Sequence, residues 1–356
     1  MTSKVYLARV ADGAPAAEQA GALEKVLKAG GFLDRLQRLD MVAVKVHVGE
    51  KHNVTHVRPE VVARAVSLVR DAGGQPFLTE TATLYRGERE NAIKHALHAH
   101  AHGFGIEAVG APFISADGLS GTDEAEVRVD GEFHRSVKVA GQILLADALM
   151  VISHPTGHMG SGLGAAIKNV GMGLASRAGK MRQHSSITPE VEPEKCENCG
   201  KCRQWCPVDA IDEREGVSCI RPQDCIGCGE CIAVCRYGAV KFDYAIESPV
   251  LQKSMAEHAA GVLAHFGGRT VFINVLVGMT RECDCLNKRQ EKAFADVGIL
   301  ACDDIVAADQ ATLDISAAAH GSDLAHQSFP KLDPTIQIRH AEKIGLGNRA
   351  YRLVEV

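Results

Sequence analysis

The 356-residue sequence predicts an α/β fold with a mostly parallel sheet, interrupted by a small cysteine-rich module. Three observations carry that prediction. Short apolar runs alternate with amphipathic stretches of helical period, the pattern of strands joined by crossover helices. Aromatic residues make up 4% of the chain against 35 glycines, so the core must be aliphatic and the turns tight. Nine of the 12 cysteines fall between Cys196 and Cys235, where no long helix fits.

The elements follow in order. KVYLARV (4–10) alternates as a strand, and residues 16–29 read as a helix. MVAVKVHV (41–48) reads as a buried strand ending in a polar loop. A helix over 60–72 follows Pro59 and is stopped by Gly73 and Gly74. PFLT (76–79) is a short strand. Residues 87–102 form a histidine-rich helix, with His95, His98 and His102 on one face expected to be solvated. VRVDGEFHRSVKV (127–139) predicts a hairpin with a type I′ turn at Asp130–Gly131. ALMVIS (148–153) is another buried strand, followed by a glycine-rich stretch over 157–173. Beyond Pro249 the α/β pattern returns, with a helix over 251–265, strands at 270–277 and 298–302, a helix over 303–319 and a last strand at 351–356. The expected organisation is therefore discontinuous: α/β domain over 1–188, inserted module over 189–248, α/β domain again over 249–356.

Composition excludes several classes. With 46% hydrophobic and 23% charged residues the chain is not disordered. A net charge of −5 gives no reason to expect nucleic acid or a membrane surface as partner. No apolar run approaches the roughly 18 residues of a spanning helix. The first residues lack a basic segment leading into an apolar one, so no signal peptide is expected and the default is a cytoplasmic protein. There, 12 cysteines are thiols or metal ligands rather than a disulfide framework.

Their spacing is specific. Cys196-x2-Cys199-x2-Cys202-x3-Cys206-Pro207 is the bacterial ferredoxin run, and Cys225-x2-Cys228-x2-Cys231-x3-Cys235 repeats it. Three thiolates on a tight loop reach three irons of one cubane, and the fourth iron must be reached from elsewhere. The fourth cysteine of each run therefore crosses over. Cys196, Cys199, Cys202 and Cys235 are expected on one [4Fe–4S] cluster, and Cys206, Cys225, Cys228 and Cys231 on the other. Gly200, Gly227 and Gly229 let backbone N–H groups approach the sulfurs. The alternative, a pair of zinc sites, calls for separated cysteine pairs rather than four in one run. Cys219 is spare and reads as a small buried hydrophobe. Residues 190–245 resemble the two-[4Fe–4S] ferredoxins along their whole length. One departure is Arg236, where a second proline often sits.

Three patches of the α/β domain bear chemistry. Lys45 and His47, with Glu50, close a buried strand, and open α/β sheets bind ligands beyond the carboxyl ends of their strands. The stretch 153–185 carries His154, His158, Lys168, Arg177, Lys180, Arg182 and His184 around glycines 157, 160, 162 and 164. Exposed N–H groups at a helix start and converging cations there predict an anionic small ligand, with Lys168, Arg177, Lys180 and Arg182 binding it. A metal held by His154 and His158 is the other option. Cys283-Asp284-Cys285 follows a third strand, and two thiolates two residues apart can share one metal. Iron or zinc is expected there, completed by Cys302 or a histidine. The competing reading is a pair of free thiols or a redox couple.

KVHVGEKHNVTHVRPEVV, TETATLYRGERENAIKHA, GAAIKNVGMGLASRAGKMRQHS, CDCLN and GILACDDIVAADQATLD resemble the domain-of-unknown-function family 362, whose members are described as uncharacterised iron–sulfur centre proteins. The resemblance runs over nearly the whole chain. It implies an α/β fold with cysteine-bound clusters and no settled substrate. The chain also distantly resembles the lactate racemase fold, which handles a nickel cofactor.

Together these readings predict an iron–sulfur oxidoreductase. Two clusters would relay electrons to a metal or anionic-substrate site built from Lys45, His47, His154, His158, Lys168, His184, Cys283 and Cys285, with a redox protein as partner. Two alternatives stay open: an electron carrier or subunit for a partner enzyme, and a metal-dependent isomerase with structural clusters.

Overall fold

A computed structural model describes residues 2–184, 188–225, 227, 229–241 and 247–356. The chain opens with β1 (Ser3–Arg9), α1 (Ala16–Gly30), β2 (Met41–Lys45), α2 (Pro59–Asp71), β3 (Gln75–Glu80), α3 (Ala92–Ala99), α4 (Ile106–Val109) and β4 (Phe113–Ser115). A hairpin of β5 (Glu124–Arg128) and β6 (Ser136–Ala140) precedes β7 (Ala148–Ser153). The glycine-rich stretch forms a small hairpin, β8 (Thr156–His158) and β9 (Gly162–Gly164), then α5 (Ala166–Gly171) and α6 (Arg177–His184). The cysteine-rich region contributes β10 (Glu190–Val191), α7 (Lys201–Gln204), β11 (Ile211–Arg214), β12 (Val217–Ile220), α8 (Glu230–Val234) and β13 (Val240–Lys241). Then come α9 (Ser248–Phe266), β14 (Thr270–Leu276), β15 (Gly298–Cys302), α10 (Ile305–His320), α11 (Leu324–Ser328), α12 (Thr335–Lys343) and β16 (Tyr351–Glu355).

Eight strands form the main sheet in the order β16-β1-β15-β14-β7-β2-β3-β4. Every neighbouring pair is parallel except the two that involve β15. The fold is thus α/β with a mixed, mostly parallel sheet. Strand alternation sends successive side chains to opposite faces. Val42, Val44, Met150 and Ile152 pack with Leu23, Leu27, Val61 and Val66 of α1 and α2. Ala43, Leu149, Val151 and Phe272 pack on the other side with Ile167, Ala259, Val306 and Ala311 of α5, α9 and α10. Lys45 shares the parity of Ala43, so it enters the second layer. Among the described residues no helix is long and apolar enough to cross a membrane.

Three local expectations change. The β5–β6 hairpin exists, but its tip is Glu132–Phe133: Val129 N–H bonds Arg135 O, and Gly131 N–H bonds His134 O. The Glu257 carboxylate accepts the N–H groups of Glu132, Phe133 and His134, so a distant acidic side chain sets the turn. The helix expected over 87–102 starts at Ala92, because Asn91 caps it by accepting the Lys94 N–H. The shared face of His95, His98 and His102 is turned inward rather than solvated. His95 and His98 are buried; His95 Nε2 lies 3.2 Å from Glu80 Oε2, and His98 Nε2 meets Gly49 O at 3.0 Å. His102 Nδ1 meets Val48 O at 2.8 Å. The backbone beyond β2 leaves the sheet after Lys45, and these imidazoles satisfy its carbonyls.

The cysteine-rich region has a small core of its own, with Ile211, Ile232, Val240, Cys202 and Cys231 packed on Leu84 and Met181 of the larger domain. Its two halves repeat. Gly200 and Gly229 both adopt positive φ to start α7 and α8, and β10 pairs with β13 to close the unit.

Candidate functional site

β2, β3, β7 and β14 run parallel, so their carboxyl ends share one edge of the sheet. The chain beyond β14 turns back through Cys283-Asp284-Cys285. The chain beyond β7 brings His158 to it through β8. Gly157 N–H bonds Thr280 O at 3.1 Å, and a Cβ on Gly157 would lie 2.1 Å from Arg281 O. Only glycine lets these two loops touch. The result is a three-residue group: one ligand atom each from His158, Cys283 and Cys285 lies within 4.8 Å of the others.

Cys283 Sγ accepts the Lys168 ammonium at 3.3 Å and the Cys285 N–H at 3.3 Å. A hydrogen bond from the Cys285 thiol, reinforced by Lys168, brings the Cys283 thiol down to about 6 against the cost of burial. Cys283 is therefore the thiolate of the pair. The same hydrogen bond and burial push Cys285 well above its ordinary value. Between them, Asp284 accepts Asn53 Nδ2 at 2.9 Å, Thr55 Oγ1 at 3.0 Å and His154 Nδ1 at 2.7 Å. Burial disfavours the His154 cation, but Asp284 prevails and raises its pKa. His154 is thus a charge partner of Asp284, not a member of the thiol group.

A second network backs the first. Lys45, completely buried, gives its Nζ to Val46 O at 2.5 Å, Asn169 Oδ1 at 2.7 Å and Glu80 Oε1 at 3.5 Å. Burial lowers it to about 8. Arg89 bridges Glu50 at 2.7 Å and Glu80 at 3.3 Å. Its Nη2, the nitrogen that meets Glu50, also bonds the Tyr85 hydroxyl, which reaches Glu50 Oε1 at 2.8 Å and Cys285 O at 3.2 Å. His47 Nδ1 accepts the Gly49 N–H at 3.0 Å, and burial keeps its ring neutral. That places its proton on Nε2. His184 lies in the field of Lys168 and Lys180, and burial first, then those cations, holds it near 4.

Lys45, His47, His154, His158, Lys168, Cys283 and Cys285 therefore gather at one sheet edge, as expected. Glu80, Arg89, Tyr85, Asn169 and Asp284 join them and were not anticipated. Glu80 at the end of a buried strand was the one signal for this set, since a carboxylate there demands cationic partners.

Two expectations fail. Cys302 does not reach the site. β15 is antiparallel to β14, with Cys302 opposite Phe272, so its carboxyl end lies at the far edge. The thiol is buried in the aliphatic core, and burial pushes it up to about 12. The cationic anion site also does not form. The first N–H groups of α5, on Ala166 and Ile167, are already taken by the Asp309 carboxylate. Lys168 holds Cys283. Arg177 bonds Glu90 O, Ser120 O and Ala233 O. Lys180 is buried on Thr81 Oγ1 and Ala175 O, and Arg182 pairs with Glu126 near the surface. The four cations face four separate sets of acceptors.

In the cysteine-rich region, one small cavity is lined by Cys196, Cys199, Cys202 and Cys235. A second is lined by Cys206, Cys225 and Cys231. Cys228 lies outside the described residues. Ala210 N–H points at Cys206 Sγ at 3.2 Å, and Ala239 N–H at Cys235 Sγ at 3.3 Å, the same offset in both halves. Cys219 is half-buried in β12 and lines neither cavity.

The fold and site define a mixed α/β protein with a buried thiolate at the sheet's carboxyl edge and an inserted cysteine-rich unit. The chain belongs to the family called domain of unknown function (DUF362), whose model matches residues 42–314. No curated protein matches it. Among solved structures it is similar to the lactate racemase apoprotein from Thermoanaerobacterium thermosaccharolyticum, at 9% identity and a TM-score of 0.40, over 77% of this chain and 50% of that one. It is also similar to a structural-genomics protein from Thermotoga maritima, at 11% identity and a TM-score of 0.39, over 81% of this chain and 56% of that one. The chain thus spans about half the length of the structures it matches.

Proposed function

We propose that the protein is an iron–sulfur oxidoreductase in which two [4Fe–4S] clusters exchange electrons, one at a time, with the thiolate site of the α/β domain. The carrying observation is the sorting of the cysteines between the two cavities. The fourth cysteine of each run lines the cavity of the other run, the crossing that bacterial-type spacing demands. Cys196, Cys199, Cys202 and Cys235 would hold one cluster. Cys206, Cys225 and Cys231 would hold the other, with Cys228 added from its spacing. The donor set is all thiol, with backbone N–H groups on the sulfurs, which suits such a group and helps set its potential. When bound, the clusters supply one-electron transfer.

The rest is done by the chain itself. Cys199 is exposed, so the first cavity opens toward a redox partner. Residues 84–86 join the module to the thiol site. Leu84 packs with Cys202 and Cys231, Tyr85 bonds Cys285 O, and Arg86 bonds Arg236 O and Tyr237 O beside Cys235. Lys168 holds Cys283 as a thiolate. Lys45, Arg89, Glu50 and Glu80 neutralise one another around it, which keeps the buried edge free of uncompensated charge.

The test is anaerobic purification with metal analysis and electron paramagnetic resonance after reduction. About eight irons per chain are expected. Cys206→Ser should damage the cluster of Cys225 and Cys231 and spare its sequence neighbours Cys199 and Cys202. Stoichiometric zinc without iron would refute the reading.

A further inference from the structure

We propose that His158, Cys283 and Cys285 bind a single soft or borderline divalent cation, zinc or iron(II), separate from the module and with a fourth coordination position left open. This rests on the geometry of the α/β domain alone and stands whether or not the module holds clusters.

Three donors converge from two loops far apart in sequence, within 4.8 Å of one another. A tetrahedral ion with metal–sulfur bonds of about 2.3 Å needs donors ~3.8 Å apart, about 1 Å inside the limit within which these three already lie. Thiolate with imidazole is the donor set of zinc and iron rather than of magnesium or calcium. Three protein ligands are also the number used where the fourth position is kept for water or substrate.

The surroundings fit a ligand role. Lys168 Nζ and the Cys285 N–H both donate to Cys283 Sγ, which favours the thiolate that a cation needs. Neither Cys302 nor His154 competes for the position. One is locked in the core and the other is bonded to Asp284.

His158 carries its own control. Its Nδ1 receives the N–H groups of Gly160 at 3.2 Å and Ser161 at 3.1 Å, which places the ring proton on Nε2. Coordination through Nε2 requires that proton to sit on Nδ1 instead. The Gly160 and Ser161 N–H groups must then turn away from Nδ1, and Ser161 Oγ, 2.8 Å from Nδ1 with its own proton donated to Leu163 O at 2.9 Å, is positioned to accept the ring proton in their place. The proton moves across the ring, no atom is gained or lost, and the imidazole stays neutral. Ser161 is therefore a positioning residue that selects the ligating tautomer.

The experiment loads the anaerobic full-length protein with zinc(II), removes the excess and counts retained zinc. Zinc-edge X-ray absorption then reads the donors, which iron elsewhere does not obscure. The expected result is one zinc with two sulfurs at about 2.3 Å and a nitrogen at about 2.0–2.1 Å. Cys283→Ser with Cys285→Ser should abolish retention, His158→Gln should remove the nitrogen, and Ser161→Ala should weaken binding about tenfold. Cys302→Ser should leave retention and spectrum unchanged. Unaltered iron content and circular dichroism in each variant show that the fold survives; if the double variant does not fold, the His158→Gln and Ser161→Ala spectra decide. Any of three results would overturn the site: no retained zinc, zinc retention that Cys283→Ser with Cys285→Ser leaves unchanged, or a Cys283–Cys285 disulfide with no zinc uptake.

Discussion

The cysteine module and the thiolate edge of the sheet solve the same problem, holding sulfur in a protein, in opposite ways. In the module the cysteines are close in sequence, and the cavity of Cys206, Cys225 and Cys231 is otherwise lined mostly by apolar residues. Its apolar core is small. At the sheet edge, Lys45, Glu80, His158, Lys168 and Cys283 come from five separated stretches. There each charge already has a partner: Lys168 with Cys283, Asp284 with His154, Arg89 with Glu50 and Glu80. On the proposed reading, the module takes its order from the clusters it holds. The edge is organised before anything binds.

Removing iron should expose that contrast most strongly. Where a metal group organises a small core, its binding energy is folding energy. Anaerobic chelation should make the amides of residues 190–241 exchange with solvent at nearly unprotected rates, while β2, β7 and β14 keep their protection. Hydrogen exchange read by mass spectrometry measures both in one sample. Equal loss in both regions would mean that the α/β domain also leans on the module.

The converse cut is Arg89→Met, which leaves buried Glu50 without its cation and Glu80 with Lys45 and His95 alone. Breaking a buried ion pair from one side costs about 3–5 kcal/mol, because the remaining charge has nowhere to go. Denaturant midpoints should fall accordingly, and Arg89→Lys should recover little, since one ammonium cannot replace a guanidinium that meets Glu50, Glu80 and Tyr85 together. A loss below about 1 kcal/mol would show that water already screens the network.

How much of this was readable beforehand follows the same divide. Ligand spacing in the module is local, so residue numbers alone paired Cys235 with the first run. The edge depends on strand direction. That β7 and β14 are parallel could be guessed from their buried runs, and it brought His158 to Cys283. That β15 is reversed could not, because GILAC reads the same in either direction, and Cys302 was misplaced for that reason. The burial of His95 and His98 was hidden too: helical spacing shows that they share a face, not that the Glu80 carboxylate and the Gly49 carbonyl wait opposite it.

Acid should weaken the α/β domain at a point remote from both sulfur sites. His258 is buried on α9, with His134 against its ring and Arg182 and Glu257 within electrostatic range. Burial, with help from His134, drops it to about 3. Its folded value lies below its unfolded one, so the unfolded chain binds the extra proton. The stabilising contribution is whole above about pH 6.5 and is lost as pH falls toward about 3. At pH 5 the loss from this residue is about 2 kcal/mol. Comparing the pH dependence of the urea midpoint for the intact protein and His258→Gln isolates it. Parallel curves would mean that His258 does not carry the effect.

The smallest effect belongs to Arg182, and it separates a cation that builds the site from one that sits near it in sequence. Arg182 shares a short helix with buried Arg177 and Lys180, yet its guanidinium meets Glu126 at 3.3 Å with side chains 25% and 57% exposed. Pairs of that kind contribute a few tenths of a kcal/mol, less in salt. Arg182→Ala should therefore move the denaturant midpoint by no more than about 0.5 kcal/mol. It should leave zinc retention at Cys283 and Cys285 untouched, and any binding of sulfate or phosphate measured calorimetrically should be the same as before. A clear loss of anion affinity in this variant would restore the cationic site that the structure takes apart, and would require Lys168 to leave Cys283 and turn toward Arg182.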